Sequence, residues 1–383
     1  MFTKQLKEKN PKLIEAAYQL HESGLVLPDS FLVDVDQLMA NAKAMLAEAN
    51  KYDIELYFML KQLGRNPYLA KKFIELGYPG AVVVDFKEAQ VMMNHNIPII
   101  NIGNLVQIPK VMLEKVLKYQ VTYVTVFSLD IVQRINQLSE KLNQKQKLMI
   151  RVYDENDKIY SGQEAGISLQ ELPDFYKAIQ DLNNVEVTAV TSFPCFLFNE
   201  ASLEIEALPN LDTVFKAKEI LEKLGTKIDN INGPSATCTT LIPTLKALGV
   251  TSGEPGHGLS GTTPAHRTLD LVEKPAVIYL SEVSHHFQGK SYIYGGGHYR
   301  RSHLKNAIVK SVHEETLVDV IPPNLDSIDY HFGLKGIYPV GSSVISAFRF
   351  QIFVTRSDVV LIEGISQDKP KIAGIYNSLG QLK

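Results

Sequence analysis

Eight short apolar segments, each followed by a stretch with helical spacing, recur along the first two thirds of this sequence. Strands that alternate with helices pair in parallel, and eight such units over roughly 200 residues match a closed (β/α)8 barrel. A doubly wound sheet would carry a G-x-G-x-x-G motif after an early strand, and none of the segments is followed by one. We therefore expect an α/β protein built on a TIM barrel. The segments are 54–60, 80–84, 98–103, 122–127, 147–153, 185–191, 227–232 and 249–253.

The pattern changes after about residue 270, where apolar residues alternate in short runs separated by turn residues. Examples are AVIYLSEVSHHF, KSYIYGG, KNAIVKSV and VISAFRFQIFVT. These runs leave little room for helices and predict a mainly antiparallel C-terminal β domain. A further strand-like run, 31–35, precedes the first long helical stretch.

Length and composition limit the class of protein. A chain of 383 residues with 45% hydrophobic and 21% charged residues is typical of a folded protein with two domains. Its 39 Lys and Arg against 42 Asp and Glu give a net charge of -3, so nucleic acid is not an expected partner. Cys195 and Cys238 are too few for a disulfide framework, which fits a reducing compartment. Without a signal-like or membrane-spanning apolar run, we expect a soluble, cytoplasmic protein with no membrane partner.

Catalytic groups of a (β/α)8 barrel sit at the C-terminal ends of its strands, and the first predicted strand ends in Lys61. A lysine that ends a buried apolar strand loses solvation of its charge, which lowers its pKa toward a nucleophilic neutral amine. This indicates Schiff-base chemistry. A lysine that reaches solvent or pairs with a carboxylate is the alternative, and position alone favours it.

Two stretches after the last two predicted strands suit a phosphate. Residues 251–264 contain several glycines, whose backbone N–H groups can line a concave site, together with hydroxyl side chains. Residues 232–240, NGPSATCTT, open a helix whose free N–H groups and hydroxyls favour an anion. A glycine-rich turn between domains explains the first stretch equally well. Barrels commonly bind phosphate in the loops of their last two strands, so the pair predicts a phosphate site.

The first and eighth strands of a closed barrel are neighbours, so Lys61 and Glu254 are expected at one mouth, beside the phosphate site. Pyridoxal 5'-phosphate requires an amine for imine formation, a partner for its pyridine nitrogen and an anchor for its phosphate. These residues therefore predict a pyridoxal phosphate enzyme.

The segments FLVDVDQLMANAKAM, MLKQLGRN, INGPSATCTT and GEPGHGLSG resemble the alanine racemase and decarboxylase group of fold-type III pyridoxal phosphate enzymes, especially its bacterial YhfX-like branch. The resemblance covers nearly the whole chain. It implies an N-terminal helix and strand (1–35) that pack with the β domain, a cofactor-binding barrel (36–270) and a C-terminal β domain (271–383). It also implies a homodimer with shared active sites.

The resemblance assigns roles to individual residues. Lys61 matches the lysine that holds the cofactor, and Tyr294 matches a racemase tyrosine that reaches the partner subunit's site as the second acid/base. Glu254 stands where alanine racemases have an arginine and the decarboxylases of this group have a glutamate. The predicted cofactor-binding set is completed by Arg65, Ser235, Thr237, Gly256, His257 and Tyr376.

The chain departs from alanine racemases at several positions. Glu164 stands where racemases place an arginine near the substrate carboxylate, so the residue that binds this carboxylate stays open. Arg65 replaces a tyrosine four residues after the lysine, and a phosphate contact, a substrate carboxylate contact and a plain surface arginine are its alternatives. Ser192 or Phe193 replaces a histidine after the sixth strand. Arg151, on the strand 147–153, is expected to point into the barrel.

Glu254 widens the range of reactions. An arginine beside the pyridine nitrogen keeps the ring unprotonated, whereas a glutamate stabilises the protonated ring and a longer-lived carbanion. Racemisation, decarboxylation and retro-aldol cleavage then differ in which bond at Cα breaks. We expect an amino acid racemase or epimerase that acts at Cα through a Lys61 imine, with a decarboxylase or a D-amino-acid aldolase or lyase as the alternative.

Three other interpretations remain. A pair of thiols, here Cys195 and Cys238, can racemise an amino acid without a cofactor, but such enzymes use a different fold. Related D-amino-acid lyases hold a metal in the β domain through histidine and cysteine; no cysteine follows residue 238, and we predict no metal site. A non-enzymatic pyridoxal phosphate homeostasis protein is the third, although such single-barrel relatives lack a second domain. The histidines that the metal interpretation would use are His285, His286, His298 and His303.

Overall fold

The computed structural model describes residues 2–299, 301–312, 314–324 and 326–383. Its helices are α1 (Phe2–Lys9), α2 (Pro11–Glu22), α3 (Val35–Tyr52), α4 (Pro67–Leu76), α5 (Phe86–Asn94), α6 (Leu113–Lys118), α7 (Leu129–Lys141), α8 (Leu172–Ile179), α9 (Pro209–Lys223) and α10 (Ile242–Ala247). Its strands are β1 (Ser30–Asp34), β2 (Glu55–Leu56), β3 (Ala81–Val82), β4 (Ile99–Ile102), β5 (Tyr123–Val126), β6 (Gln146–Tyr153), β7 (Ile167–Ser168), β8 (Val185–Thr191), β9 (Phe196–Asn199), β10 (Glu204–Ala207), β11 (Asn230–Asn232), β12 (Ser252–Gly253), β13 (Val277–Phe287), β14 (Lys290–Tyr294), β15 (Asn306–Lys310), β16 (Glu315–Ile321), β17 (His331–Lys335), β18 (Ser343–Ser346), β19 (Asp358–Glu363) and β20 (Lys371–Tyr376).

The chain divides into two compact units. The barrel unit comprises Met45–Leu60 and Ala70–Gly256, and the β unit comprises Met1–Ala44, Lys61–Leu69 and His257–Lys383. The segment Lys61–Leu69 therefore belongs to the β unit, although barrel sequence flanks it on both sides. The predicted limits of 1–35, 36–270 and 271–383 stay a prediction.

The barrel unit contains the expected parallel barrel. Eight strands pair in the order β2-β12-β11-β8-β6-β5-β4-β3, and every one of these pairings is parallel. A bridge between Phe58 and Ala81 joins the residues after β2 to β3, so the strands close into a ring. The (β/α)8 prediction is confirmed. The barrel interior is filled by Tyr57, Met59, Val82, Ile100, Tyr123, Met149 and Ala189.

Several barrel strands are shorter than their predicted segments. β2 covers only Glu55–Leu56 of the segment 54–60. Beyond it, the N–H of Met59 still donates to the carbonyl of Pro255 at 2.9 Å. The chain that leaves β2 therefore runs beside the chain that leaves β12.

The β unit contains a mainly antiparallel sheet in the order β14-β17-β16-β15-β18-β13-β1-β19-β20. β14 also pairs with β13, so the first six strands of this order form a closed ring. β1 pairs antiparallel with β13 and parallel with β19. The predicted antiparallel β domain is confirmed, and a strand from the start of the chain lies inside its sheet.

Helices α1 and α2 pack their apolar faces against this sheet. Leu6 and Leu13 are fully buried in one cluster with Leu32, Leu280 and other strand residues. Burial of each such side chain stabilises the fold by roughly 1.5–3 kcal/mol, before the cost of ordering the chain. In the part of the chain that the structure describes, no helix has both the length and the apolar character needed to cross a membrane.

Candidate active site

Loops at the carboxyl ends of neighbouring barrel strands lie side by side in the barrel unit. The N–H of Gly233 donates to the carbonyl of Ser252 at 3.0 Å, which joins the loop after β11 to β12. A Cβ at Gly233 would lie 2.8 Å from Val250, so only glycine permits this approach. Four predicted cofactor-binding residues lie on these loops: Ser235, Thr237, Glu254 and Gly256.

The turn after β11 has a strained backbone. Ser235 (φ 87°) and Ala236 (φ 54°) are both left-handed, although neither is glycine. Such residues cost on the order of 1–3 kcal/mol each and cluster at functional sites. Successive N–H groups in such a turn point to one side and form an anion-binding concavity. Within the described residues, the N–H groups of Ser235, Ala236 and Thr237 find no protein acceptor, so the turn is suited to a phosphate.

Glu254 directly follows β12 and is buried. Its N–H donates to Thr237 Oγ1 at 3.3 Å, which connects it to the left-handed turn. An ionised carboxylate accepts hydrogen bonds only, so it suits the protonated nitrogen of a pyridine ring. Backbone N–H groups, hydroxyls and one carboxylate are therefore a donor and acceptor set that fits pyridoxal phosphate.

A polar network that the sequence analysis missed ties these strand ends together. Thr191 Oγ1 donates to Asn232 Oδ1 at 2.9 Å, and Asn232 Nδ2 donates to Ser252 Oγ at 3.0 Å. Ser252 Oγ in turn donates to Asn230 Oδ1 at 2.7 Å, and Asn230 Nδ2 donates to the Tyr57 hydroxyl at 2.9 Å. The sequence signal is the two asparagines of the three-residue strand β11. Since every hydrogen-bonding partner is buried, the network fixes the loops above it.

Lys61 and Arg65 lie in the β unit. Lys61 is half-buried and begins a 3-10 turn, Lys61–Leu63. Gly64 (φ 69°) follows, and a Cβ there would come within 3.0 Å of Val359 on β19. Arg65 (φ 55°) is 4% exposed, and its guanidinium carbon lies 5.1 Å from the ring centroid of Phe353. The surface-arginine alternative is therefore wrong.

His257 is buried in the β unit and is held in one protonation state. Its Nε2 donates to the carbonyl of Phe350 at 2.7 Å. Burial, assisted by the nearby Arg349 charge, holds the pKa of His257 well below its usual value. A neutral imidazole carries a single N–H, and this one is already used. The ring of His257 therefore has no further N–H to supply, and its predicted phosphate contact stays a prediction.

The two predicted tyrosines end strands of the β unit. Tyr294 is 39% exposed at the end of β14, and its carbonyl accepts a hydrogen bond from Ser281 Oγ at 2.7 Å. Tyr376 ends β20 and is largely buried. Burial raises the pKa of Tyr376, so its hydroxyl stays protonated and able to donate to an anion.

The structure disfavours a thiol mechanism. Cys195 and Cys238 are both buried. Burial raises the pKa of the Cys195 thiol well above its ordinary value, so this thiol stays protonated and weakly nucleophilic.

The β-domain histidines have separate surroundings. His285 stacks on Tyr292 with ring centroids 5.1 Å apart, whereas His286 Nε2 donates to the Tyr338 carbonyl at 2.7 Å. His298 Nδ1 lies 3.6 Å from Asp329, and His303 is left-handed at φ 57°. Among the residues that the structure describes, no three His, Cys, Asp or Glu side chains are grouped to hold a metal ion.

Comparison of the sequence with protein families gives two matches. Residues 33–264 match the alanine racemase N-terminal domain, and residues 278–372 match the YhfX-like C-terminal domain. The chain is 44% identical over 382 residues to the uncharacterized protein YhfX of Escherichia coli (strain K12), covering 99% of each chain.

Comparison with solved structures shows the same fold. A D-threonine aldolase from Filomicrobium marinum matches with a TM-score of 0.66 and 13% identity, covering 92% of this chain and 94% of that chain. An alanine racemase of Clostridium difficile 630, in complex with cycloserine, matches with a TM-score of 0.64 and 16% identity, covering 91% of this chain and 98% of that one. The family matches, together with the close relative, establish that this chain belongs to the alanine racemase family and that its C-terminal domain is of the YhfX-like type.

Proposed function

We propose that this chain is a pyridoxal phosphate-dependent amino acid racemase or epimerase that acts at Cα as a cytoplasmic homodimer. The observation that supports this most strongly is the left-handed turn at Ser235 and Ala236, which offers backbone N–H groups at the carboxyl end of a barrel strand. The buried Glu254, hydrogen-bonded to Thr237, supplies the second element of a pyridoxal phosphate site.

Each residue has one role in this proposal. Pyridoxal phosphate, when bound, supplies an electron-accepting ring that stabilises negative charge at Cα. The N–H groups of Ser235 to Thr237 hold its phosphate, and Glu254 pairs with its ring nitrogen. Lys61 is its attachment point, and the Lys61 Nζ moves a proton at one face of Cα. The Tyr294 hydroxyl moves a proton at the other face.

A decarboxylase or a D-amino-acid aldolase or lyase is the second candidate. Glu254 favours it, because a carboxylate beside the ring nitrogen would strengthen the electron-accepting chemistry that cleavage of a carbon bond at Cα needs. In this case the residues that hold the cofactor keep the same roles, and the bond that breaks at Cα is to carbon.

The test is to incubate the purified protein with pyridoxal phosphate and a panel of L- and D-amino acids in deuterated water. A racemase gives Cα deuteration together with inversion, measured by mass spectrometry and chiral chromatography. Release of carbon dioxide or of an aldehyde would support the second candidate instead. Neither exchange nor cleavage in a protein that binds the cofactor would overturn both and leave the homeostasis alternative.

Lys61→Ala supplies the matched test of the attachment point. We expect this variant to lose all exchange, whereas Lys71→Ala, which removes an exposed lysine of α4, keeps it. Borohydride reduction followed by peptide mapping should label Lys61 in the wild type. A label on any other lysine would contradict the assignment.

A further inference from the structure

Arg151 is a buried cation whose partners are neutral. It lies on β6, is 1% exposed, and donates from Nη1 to the carbonyl of Asn104 at 2.7 Å and from Nη2 to that of Gln163 at 2.8 Å. Burial lowers the pKa of Arg151 to about 10, so the guanidinium stays charged near pH 7. In the parts of the chain that the structure describes, no carboxylate is paired with this guanidinium.

A structural role explains this arrangement poorly. Removing an ion from water is costly, and bonds to neutral carbonyls return only part of the lost solvation. A neutral side chain with N–H groups could connect the same two carbonyls at a lower cost. The positive charge therefore indicates that an anion completes the site.

Arg151 points into the barrel near its carboxyl end. Met149, two residues earlier on β6, belongs to the interior cluster, and side chains two apart on a strand share a face. Arg151 is in register with Thr191 on β8, and Thr191 is in register with Asn232 on β11. The two carbonyl acceptors lie in the loops after β4 and β6. The guanidinium thus lies at the mouth where the catalytic loops of a barrel converge.

The two residues that hold Arg151 supply further buried acceptors. Asn104 Oδ1 and Gln163 Oε1 are buried, and no donor among the described residues reaches them. A ligand with one anionic group and several N–H or O–H donors satisfies both the cation and these acceptors. An amino acid has this chemistry.

We propose that Arg151 binds the carboxylate of the amino acid substrate. The inference rests on the proposed function. It names a residue for the role that stayed open because Glu164, which is exposed, stands at the position of the racemase arginine. A guanidinium binds a carboxylate through paired N–H donors, which fixes the plane of the carboxylate and so the orientation of the bonds at Cα. Arg151 is therefore a specificity residue for carboxylate-bearing ligands.

The test measures equilibrium binding rather than turnover. The absorption of the cofactor in the purified holoprotein is titrated with alanine, serine and threonine of both configurations, and with the corresponding amino acid amides, which lack the carboxylate. The proteins compared are wild type, Arg151→Met, Arg151→Lys and Lys147→Met. The last variant is the matched control, because it removes an exposed cation from the same strand. Circular dichroism and melting temperature confirm that each variant folds.

We expect Arg151→Met to weaken binding of the amino acid by about 10- to 100-fold while leaving binding of the amide within about twofold. The affinity of Arg151→Lys for the amino acid should lie between those of wild type and Arg151→Met. The affinity of Lys147→Met should match that of the wild type. If Arg151→Met weakens acid and amide equally, or keeps the preference for the acid, the proposal is wrong and Arg151 only braces the loops.

Two further outcomes are separable. A changed cofactor spectrum in ligand-free Arg151→Met, with the preference for the acid intact, would place the guanidinium against the cofactor and overturn the proposal. A wild-type protein that holds the cofactor but responds to no acid and no amide would instead overturn the proposed function itself, and the role of Arg151 with it.

Discussion

The buried ring of His257 makes one hydrogen bond, to the Phe350 carbonyl. Its titration affects how the free energy of unfolding depends on pH. Histidine in an unfolded chain titrates near pH 6.5. Because burial lowers the folded-state pKa of His257, only the unfolded state binds this proton as the pH falls below that value. The contribution of His257 to the free energy of unfolding therefore decreases on acidification, by at most about 1.4 kcal/mol per pH unit, and this effect is absent above about pH 7.5.

We expect His257→Gln to flatten this dependence, because glutamine retains an N–H donor for the Phe350 carbonyl but does not titrate. Urea unfolding between pH 8 and pH 5 measures the free energy of unfolding of both proteins. The difference between wild type and His257→Gln should shrink by about 1 kcal/mol between pH 6.5 and 5.5. His95→Gln, at an exposed site, is the control. Parallel curves for wild type and His257→Gln would mean that His257 titrates alike in both states.

Other buried groups do not obscure the comparison. Burial raises the pKa of Asp29 and of Asp34, so the native state takes up their protons first and acidification stabilises it. These contributions have the opposite sign to that of His257. They are common to all three proteins and cancel in the difference.

Among the elements, the turn at Ser235 and Ala236 carries the clearest prediction. Ala236→Pro forces φ from 54° to about −65°. This change reverses the turn, so that its N–H groups no longer point to one side. Ala236→Gly permits the native φ. We expect Ala236→Pro to weaken binding of pyridoxal phosphate at least about tenfold while binding of pyridoxal, which lacks the phosphate, stays nearly unchanged. Equilibrium dialysis of both compounds measures this.

Ala236→Gly is the matched control and should bind both compounds as the wild type does. Equal losses for pyridoxal and pyridoxal phosphate in Ala236→Pro would indicate general disruption of the loop. An undiminished preference for the phosphate would remove this turn from the phosphate site.

Much of the element order follows from periodicity. All eight barrel segments contain a strand, because buried parallel strands are continuous apolar runs that stand out from helical spacing. The lengths of the strands do not follow from periodicity, because pairing between distant segments decides where a strand ends. For example, β2 covers two of the seven predicted residues. The hairpin of β9 and β10 was missed for the same reason.

The site is less accessible to sequence reasoning than the fold. The left-handed turn uses serine and alanine, which carry no signal for a positive φ. The polar network through Asn232 and Ser252 depends on which side chains face each other across neighbouring strands. The roles of Lys61, Glu254 and Tyr294 stay predictions, because they depend on a cofactor and a substrate that the fold alone does not identify.

For the whole molecule, the predicted role of Tyr294 requires two chains. If Tyr294 acts in the partner's site, Tyr294→Phe should suppress exchange at one face of Cα by about 10²- to 10⁴-fold and spare the other face. Tyr292→Phe, on the same strand, is the control. Exchange of deuterium from each enantiomer, followed separately, measures the asymmetry. Loss at both faces alike would reduce Tyr294 to a packing role.

Mixing inactive chains tests the shared site directly. A mixed dimer of Lys61→Ala and Tyr294→Phe chains contains one intact site only if each site draws Lys61 and Tyr294 from different chains. Random mixing of the two chains in equal amounts should then restore up to about a quarter of the wild-type racemisation rate. Light scattering establishes the dimer. No recovery in demonstrated mixed dimers, or full activity in a monomer, would rule out sharing.

The position of β1 between β13 and β19 sets the order in which the molecule can be completed during synthesis. Ser30–Asp34 leaves the ribosome before either partner strand, and the whole barrel sequence is made in between. Apart from β2 and β12, paired barrel strands lie close in sequence, and the whole barrel is made before β13, whereas the β unit waits for β19. Until then the edge of β1 that pairs with β19 stays open, so a chain that stalls before Asp358 presents an apolar strand edge that pairs readily with other unfinished chains.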